Sequence, residues 1–170
     1  MKKSLLTASM FSTGLAFSGI AQAVVVASST LNVSATVAVD CTVTTTAVNF
    51  GNLNATNTTF ANGDISVNCT PGVPYHIALD AGLNLDAFGF RNLKQVAGTA
   101  AVEYVLSSVS TPFVSEWGDA DLSNTISRGA SVADIGNGLS QPHTVYGASD
   151  VVSGHPTGAY TDIVNVTVFY

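Results

Sequence analysis

The chain has 170 residues, 46% of them hydrophobic and only 9% charged, where charged residues usually make up about 25%. Five basic residues stand against eleven acidic ones, a formal net charge of −6. This length fits one domain, the apolar content excludes charged, core-poor disorder, and the missing basic footprint argues against nucleic acid or an anionic membrane surface as partner.

Met1-Lys2-Lys3 is a basic start, residues 5–20 are largely apolar, and Ala21-Gln22-Ala23 has the small-x-small form of a cleavage site. Residues 1–23 therefore read as a signal peptide. Ser9, Thr13, Gly14 and Gly19 interrupt the apolar run, which makes a membrane-spanning helix the poorer reading. Export implies an oxidising compartment, where the pair Cys41 and Cys69 is most simply a disulfide. Closing that loop is worth about 3.5 kcal/mol on the chain-entropy model. Two cysteines without CxxC spacing are too few thiolates for a metal site, so neither metal nor cofactor is expected.

The exported part is rich in Val, Thr, Ser, Ala, Asn and Gly. Short apolar runs predict strands at 31–39, 42–50, 64–69, 75–80, 101–106, 143–146 and 162–170. Turn signals separate them at Ala61-Asn62-Gly63-Asp64, Thr70-Pro71-Gly72, Asp80-Ala81-Gly82, Ile135-Gly136-Asn137-Gly138 and Pro156-Thr157-Gly158. A short helical turn fits 83–94, weakened by Gly89. No internal repeat and no domain linker stands out. The pattern is that of an all-β sandwich.

Two segments do not fit a closed sandwich. Leu31, Val33, Ala35, Val37 and Val39 alternate with Asn32, Ser34, Thr36 and Asp40, with Ala38 neutral, and no turn residue folds this strand back before Cys41. At the other end, Ile163, Asn165, Thr167 and Phe169 alternate with Val164, Val166, Val168 and Tyr170, and the sequence stops where one more strand would close the sheet. An open sheet edge is a template for another strand. A donor strand from a second copy would fill it by β-augmentation, and head-to-tail contacts of that kind build open filaments. Burying Leu31, Val33, Val37 and Val39 would contribute roughly 6–12 kcal/mol gross. The same alternation also fits an ordinary first strand of the same subunit.

The chain resembles the spore coat protein U domain family, shared by pilins of archaic (Csu-type) chaperone–usher pili. The likeness covers 24–170 and rests on pieces in order: Asp40-Cys41-Thr42-Val43, Val48-Asn49-Phe50-Gly51, Ile65-Ser66-Val67-Asn68-Cys69-Thr70, Pro74 through Gly82, Arg91-Asn92-Leu93, Val102-Glu103-Tyr104-Val105-Leu106, Glu116-Trp117-Gly118-Asp119, Thr144-Val145-Tyr146-Gly147, and Pro156 through Asp162. Segments 107–113 and 120–140 depart from the family pattern, and Ala35 is small for its place. The resemblance implies an incomplete immunoglobulin-like β-sandwich of six core strands, its missing last strand supplied in trans by donor-strand complementation. It implies a donor extension at 24–38 and a pilin domain at 39–170. Leu31, Val33, Ala35 and Val37 would be donor residues, and Cys41–Cys69 the family disulfide. Ile163, Val164, Val166, Val168 and Tyr170 would line the acceptor groove. Implied partners are neighbouring pilin subunits, a periplasmic chaperone and an outer-membrane usher, with no nucleic acid and no small-molecule substrate. The implied place is a surface fibre reached through the periplasm, serving adhesion and biofilm formation.

Enzyme motifs are missing: there is no G-x-S-x-G, H-E-x-x-H or P-loop. His76, His143 and His155 read as structural or solvated, and Trp117 as core. Asp119-x-Asp121-x-Ser123 starts like a calcium loop but has Asn124 where Gly is needed and Ala130 where Glu is needed. The function expected is a structural pilin subunit, not an enzyme. The alternatives are a secreted coat protein that assembles without an usher, and a monomeric periplasmic binding module.

Overall fold

The computed structural model describes residues 26–120, 129–150 and 152–170. The expected signal peptide at 1–23 lies outside them, as do Asp121 and Ser123 of the calcium-like motif. The chain divides into two units, Met1–Thr36 and Val37–Tyr170. The strands of the described residues belong to the second: β1 (Cys41–Thr45), β2 (Thr59–Cys69), β3 (Pro74–Leu79), β4 (Arg91–Gln95), β5 (Ala101–Ser107), β6 (Val132–Ile135), β7 (Gln141–Ser149), β8 (Tyr160–Thr161) and β9 (Val166–Phe169). No helix occurs among the described residues. One sheet has the order β1-β2-β7-β5-β4-β8 and the other β6-β3-β9, with all strand pairs antiparallel. The described residues form the expected all-β sandwich with nine strands, β8 being two residues long.

Period-2 alternation sorts each strand between core and surface. Ile65, Val67 and Cys69 of β2, Tyr75, Ile77 and Leu79 of β3, Tyr104 and Leu106 of β5 and Val145 of β7 meet in one buried cluster around Trp117. The Cys41–Cys69 disulfide joins residues directly opposite each other on β1 and β2, with the sulfurs 2.04 Å apart.

Several predicted elements are corrected. The helical turn expected at 83–94 is an Asp86 turn followed by β4. The Asp86 carboxylate accepts the Phe88 and Phe90 N–H groups, each at 2.8 Å, and Gly89 sits at φ 87°. The turn expected at Ala61-Asn62-Gly63-Asp64 is continuous β2 strand. Gly63 is there for close approach: a Cβ would lie 2.8 Å from the Thr46 carbonyl oxygen and 2.9 Å from a Val48 methyl. Gly147 serves the same segment, since its Cβ would meet Val48 and Phe50 within 3 Å. The strand expected at 42–50 therefore ends at Thr45, and 46–50 lies across the inner face of β2 and β7. The strand expected at 162–170 is shorter for a different reason. Thr161 belongs to β8 in the first sheet and Val166 begins β9 in the second, so 162–165 crosses between sheets. Strand β6 was not expected.

Strand β3 is tied to its surroundings by three side chains. Trp117, 1% exposed, donates its indole N–H to the Ile77 carbonyl at 2.8 Å. Arg91, equally buried on β4 of the other sheet, donates to the carbonyls of Leu79, Asp80 and Trp117 and pairs with Glu116 at 3.0 Å. At the other end of β3 the Tyr75 hydroxyl sits 3.0 Å from His143 Nε2 on β7 and 3.4 Å from Asp134 on β6. Burial pushes the Tyr75 phenol up to about 12, with Asp134 adding to the effect. Burial also pulls the His143 ring below its ordinary value, while Asp134 acts the other way.

Replacing Arg91 removes its ion pair with Glu116 and its hydrogen bonds to three carbonyls. Arg91→Met is expected to cost about 3 kcal/mol or more. Arg91→Lys should recover less than half of that, because an ammonium cannot fork across several acceptors. Urea midpoints of the three proteins measure both effects. His143 gives a pH dependence of known sign. Its folded-state proton affinity is lowered, so the unfolded chain binds more protons, and stability is full above about pH 6.5 and declines as the pH falls below that. His143→Gln should flatten the dependence of melting temperature between about pH 7 and pH 5.

Candidate functional site

The two sheets leave one side of the core uncovered. Among the described pairings β1 bonds only to β2, and β9 bonds only to β3. Between these two edges lies a cavity of about 300 Å3. One wall is 45–50, including Val48 and Phe50; the other is 162–166, including Val164 and Val166. Its floor is the core itself, with Ile65, Leu79, Leu93, Leu106 and Val145 all reaching it. A second cleft of about 660 Å3 adjoins it, sharing Val48, Phe50, Leu93 and Asp162.

Each wall is fixed from behind. The 46–50 segment is held by Thr46, whose N–H donates to the Asp64 carbonyl at 2.8 Å and whose hydroxyl accepts the Asp64 N–H at 2.7 Å. Phe50 packs edge-on against Tyr104, centroids 6.1 Å apart. The opposite wall is pinned at Asp80. Its backbone N–H donates to the Asn165 carbonyl, and its carboxylate accepts the Asn165 N–H at 2.9 Å and the Asn165 amide at 2.6 Å. Asp162 supplies a polar end. It accepts the Leu83 N–H, the Asn84 amide and the Tyr104 hydroxyl, the last at 2.7 Å. Burial, reinforced by that carboxylate, raises the Tyr104 phenol far above its ordinary value.

The five residues expected to line the groove divide by burial. Val164, Val166 and Val168 are half-buried and pack on the core. Ile163, on the opposite face by alternation, and Tyr170, on the face of the valines but past the end of β9, are each 60% exposed; Ile163 still borders the cavity and Tyr170 does not. Sequence reasoning missed the opposite wall at 45–50. The signal was present in Gly63 and Gly147, small residues inside strands, which mark a close backbone approach.

The residues expected to be donors carry their side chains into solvent. Leu31 is 88% exposed, Val33 85% and Val37 89%, and Ala35 is exposed too. No strand forms at 26–40. Scattered exposed apolar residues are ordinary, but an alternating row of them is a surface shaped for burial. The histidines hold structural bonds: His76 to the Ser131 hydroxyl, His155 to the Ala101 carbonyl, and His143 as above. Phe113, 63% exposed, stacks on Phe60 outside the core. No helix among the described residues is long and apolar enough to cross a membrane.

Among the described residues, an all-β sandwich thus has two unpaired edges flanking an opening into its core. The Spore Coat Protein U domain model matches residues 27–167, and the chain belongs to that family. Among solved structures, a chain of the CsuC–CsuE chaperone–tip adhesion subunit pre-assembly complex, from archaic chaperone–usher Csu pili of Acinetobacter baumannii, is similar in fold. The TM-score is 0.55 at 21% sequence identity, and the match covers 79% of this chain and 40% of that one. A comparison with curated proteins finds no match.

Proposed function

We propose that this chain is a structural subunit of an archaic chaperone–usher pilus and polymerises head to tail by donor-strand exchange into a surface fibre. In this reading Leu31, Val33, Ala35 and Val37 of one subunit enter the groove of the next. They bond along the free edge of β9 and cover Val164, Val166 and Val168. A periplasmic chaperone occupies the groove first, and an outer-membrane usher replaces that strand with the donor. The subunit acts by assembly, without catalytic turnover, and the fibre serves adhesion and biofilm formation. One observation carries the reading: the body holds an apolar groove open between two unpaired edges, while the same chain carries an exposed, alternating apolar segment. The name of the family supports a second reading, a secreted coat protein that assembles without an usher; chaperone and usher genes beside this one would decide for the pilus.

The donor assignment is tested with Val33→Asp and Val37→Asp in the oxidised mature chain. A charge forced into an apolar groove costs several kcal/mol, so each variant should weaken subunit association by about a hundredfold or more. Sedimentation across a concentration series reads this directly. Oligomers of parental strength from both variants would show that the segment is not the donor.

A further inference from the structure

We propose that Asp40 and Thr70, beside the Cys41–Cys69 disulfide, hold the root of the donor segment straight and so keep a subunit from closing its own groove. This rests on the reading of residues 31–37 as a donor strand. A donor attached to the body it could fill has two choices, its own groove or that of a neighbour. Closure within one subunit removes both the strand and the groove from assembly, so a pilin gains from a device against it.

The local geometry supplies one. The β1–β2 ladder reaches Cys41↔Cys69 and continues one residue further. The Asp40 N–H donates to the Thr70 hydroxyl at 3.0 Å, the Thr70 N–H donates to the Asp40 carbonyl at 3.0 Å, and the Thr70 hydroxyl donates to that same carbonyl at 3.2 Å. Both backbone polar groups of Asp40 are thus engaged, and its neighbour is covalently stapled. Thr70 is itself held in a turn, its carbonyl accepting the Val73 N–H at 3.2 Å.

The groove wall at 45–50 follows β1 in the chain. To enter that groove, the preceding residues must reverse direction and run back beside β1. With Asp40 held in line, the reversal falls on Val37, Ala38 and Val39. Tight hairpin turns need left-handed backbone, which Gly, Asn and Asp supply. Two of these three residues are β-branched and the third is alanine, none of which adopts it readily. The sequence therefore lacks a turn at the one place where the clasp would force a turn to be.

The test builds the missing turn. Ala38→Asn with Val39→Gly supplies an Asn-Gly turn, and Thr70→Val removes the hydroxyl from the clasp; all three changes leave Leu31, Val33, Ala35 and Val37 in place. Ala38→Ser with Val39→Thr alters the same exposed positions without a turn former and serves as control. Sedimentation velocity of the oxidised mature chains is followed by binding of a labelled peptide of residues 24–37. The parent and control are expected to oligomerise alike. The turn variant should shift at least tenfold towards monomer and refuse the peptide, and adding Val33→Asp to it should lower its melting temperature. If the turn variant oligomerises like the parent, the inference is wrong. A turn-variant monomer that still takes the peptide also overturns it, because its groove is then open. A parent that stays monomeric, and is indifferent to loss of residues 24–37, would remove the donor-strand reading itself and this inference with it.

Discussion

The structure depends on one unmade set of bonds. Among the described residues strand β9 has a partner on its β3 side and none on the other, and beneath that free edge the core is open. Backbone polar groups at an edge are satisfied by water, yet the apolar floor between β9 and the 45–50 segment is not served by water at all. A closed sandwich would solve the problem with one more strand of its own. Here the walls are propped instead, Thr46 against Asp64 on one side and Asp80 against Asn165 on the other.

The middle of the three-stranded sheet is packed into the core, and buried polar groups fix its position there. Strand β3 is the middle of that sheet. It is tied at its ends by Tyr75 and by the Arg91 contacts to Leu79 and Asp80, and midway by Trp117. Such groups are weak evidence for stability in themselves, but they fix one arrangement among many when each partner is satisfied. That suits a body whose sheets must hold a fixed separation across an uncovered seam. It also explains why one arginine, in a chain with so few basic residues, is spent in the interior.

The sequence made some of this legible and hid the rest. Alternation in 64–69, 75–80 and 101–106 was enough to place β2, β3 and β5, because strands with one buried face repeat every two residues. The same rule separated Val164, Val166 and Val168 from Ile163 once the face was known; it placed Tyr170 with the valines, and only its position past the end of β9 accounts for its exposure. The alternation of Leu31, Val33, Ala35, Val37 and Val39 was legible for the same reason, although no strand forms at 26–40. What could not be read was long-range. Asn62-Gly63 has the composition of a turn, and only the arrival of Val48 from elsewhere in the chain gives that glycine its reason. Strand β4 was hidden because Arg91, a charged residue, points inward, and its acceptors lie on β3 and at Trp117. Strand β6 is four residues long with a half-buried pattern, too little for periodicity to mark. The change of sheet between Thr161 and Val166 leaves no local trace, since both sides read as strand.

The division of apolar surface between folding and assembly is the last consequence. In a self-sufficient domain, the free energy of covering the core is released when the chain folds. Here part of it is withheld, as the floor of the groove in one place and as Leu31, Val33 and Val37 in another. In the proposed reading those surfaces meet only between subunits, so the free energy that a closed sandwich would use for its own stability becomes the driving force for polymerisation. The marginal stability of small domains limits how much can be withheld in this way. The disulfide beside the donor's root and the buried ties on β3 reduce that limit, because they stabilise the body without filling the groove. A subunit that gained stability by covering its own core more completely would, on this argument, lose its capacity to assemble in proportion.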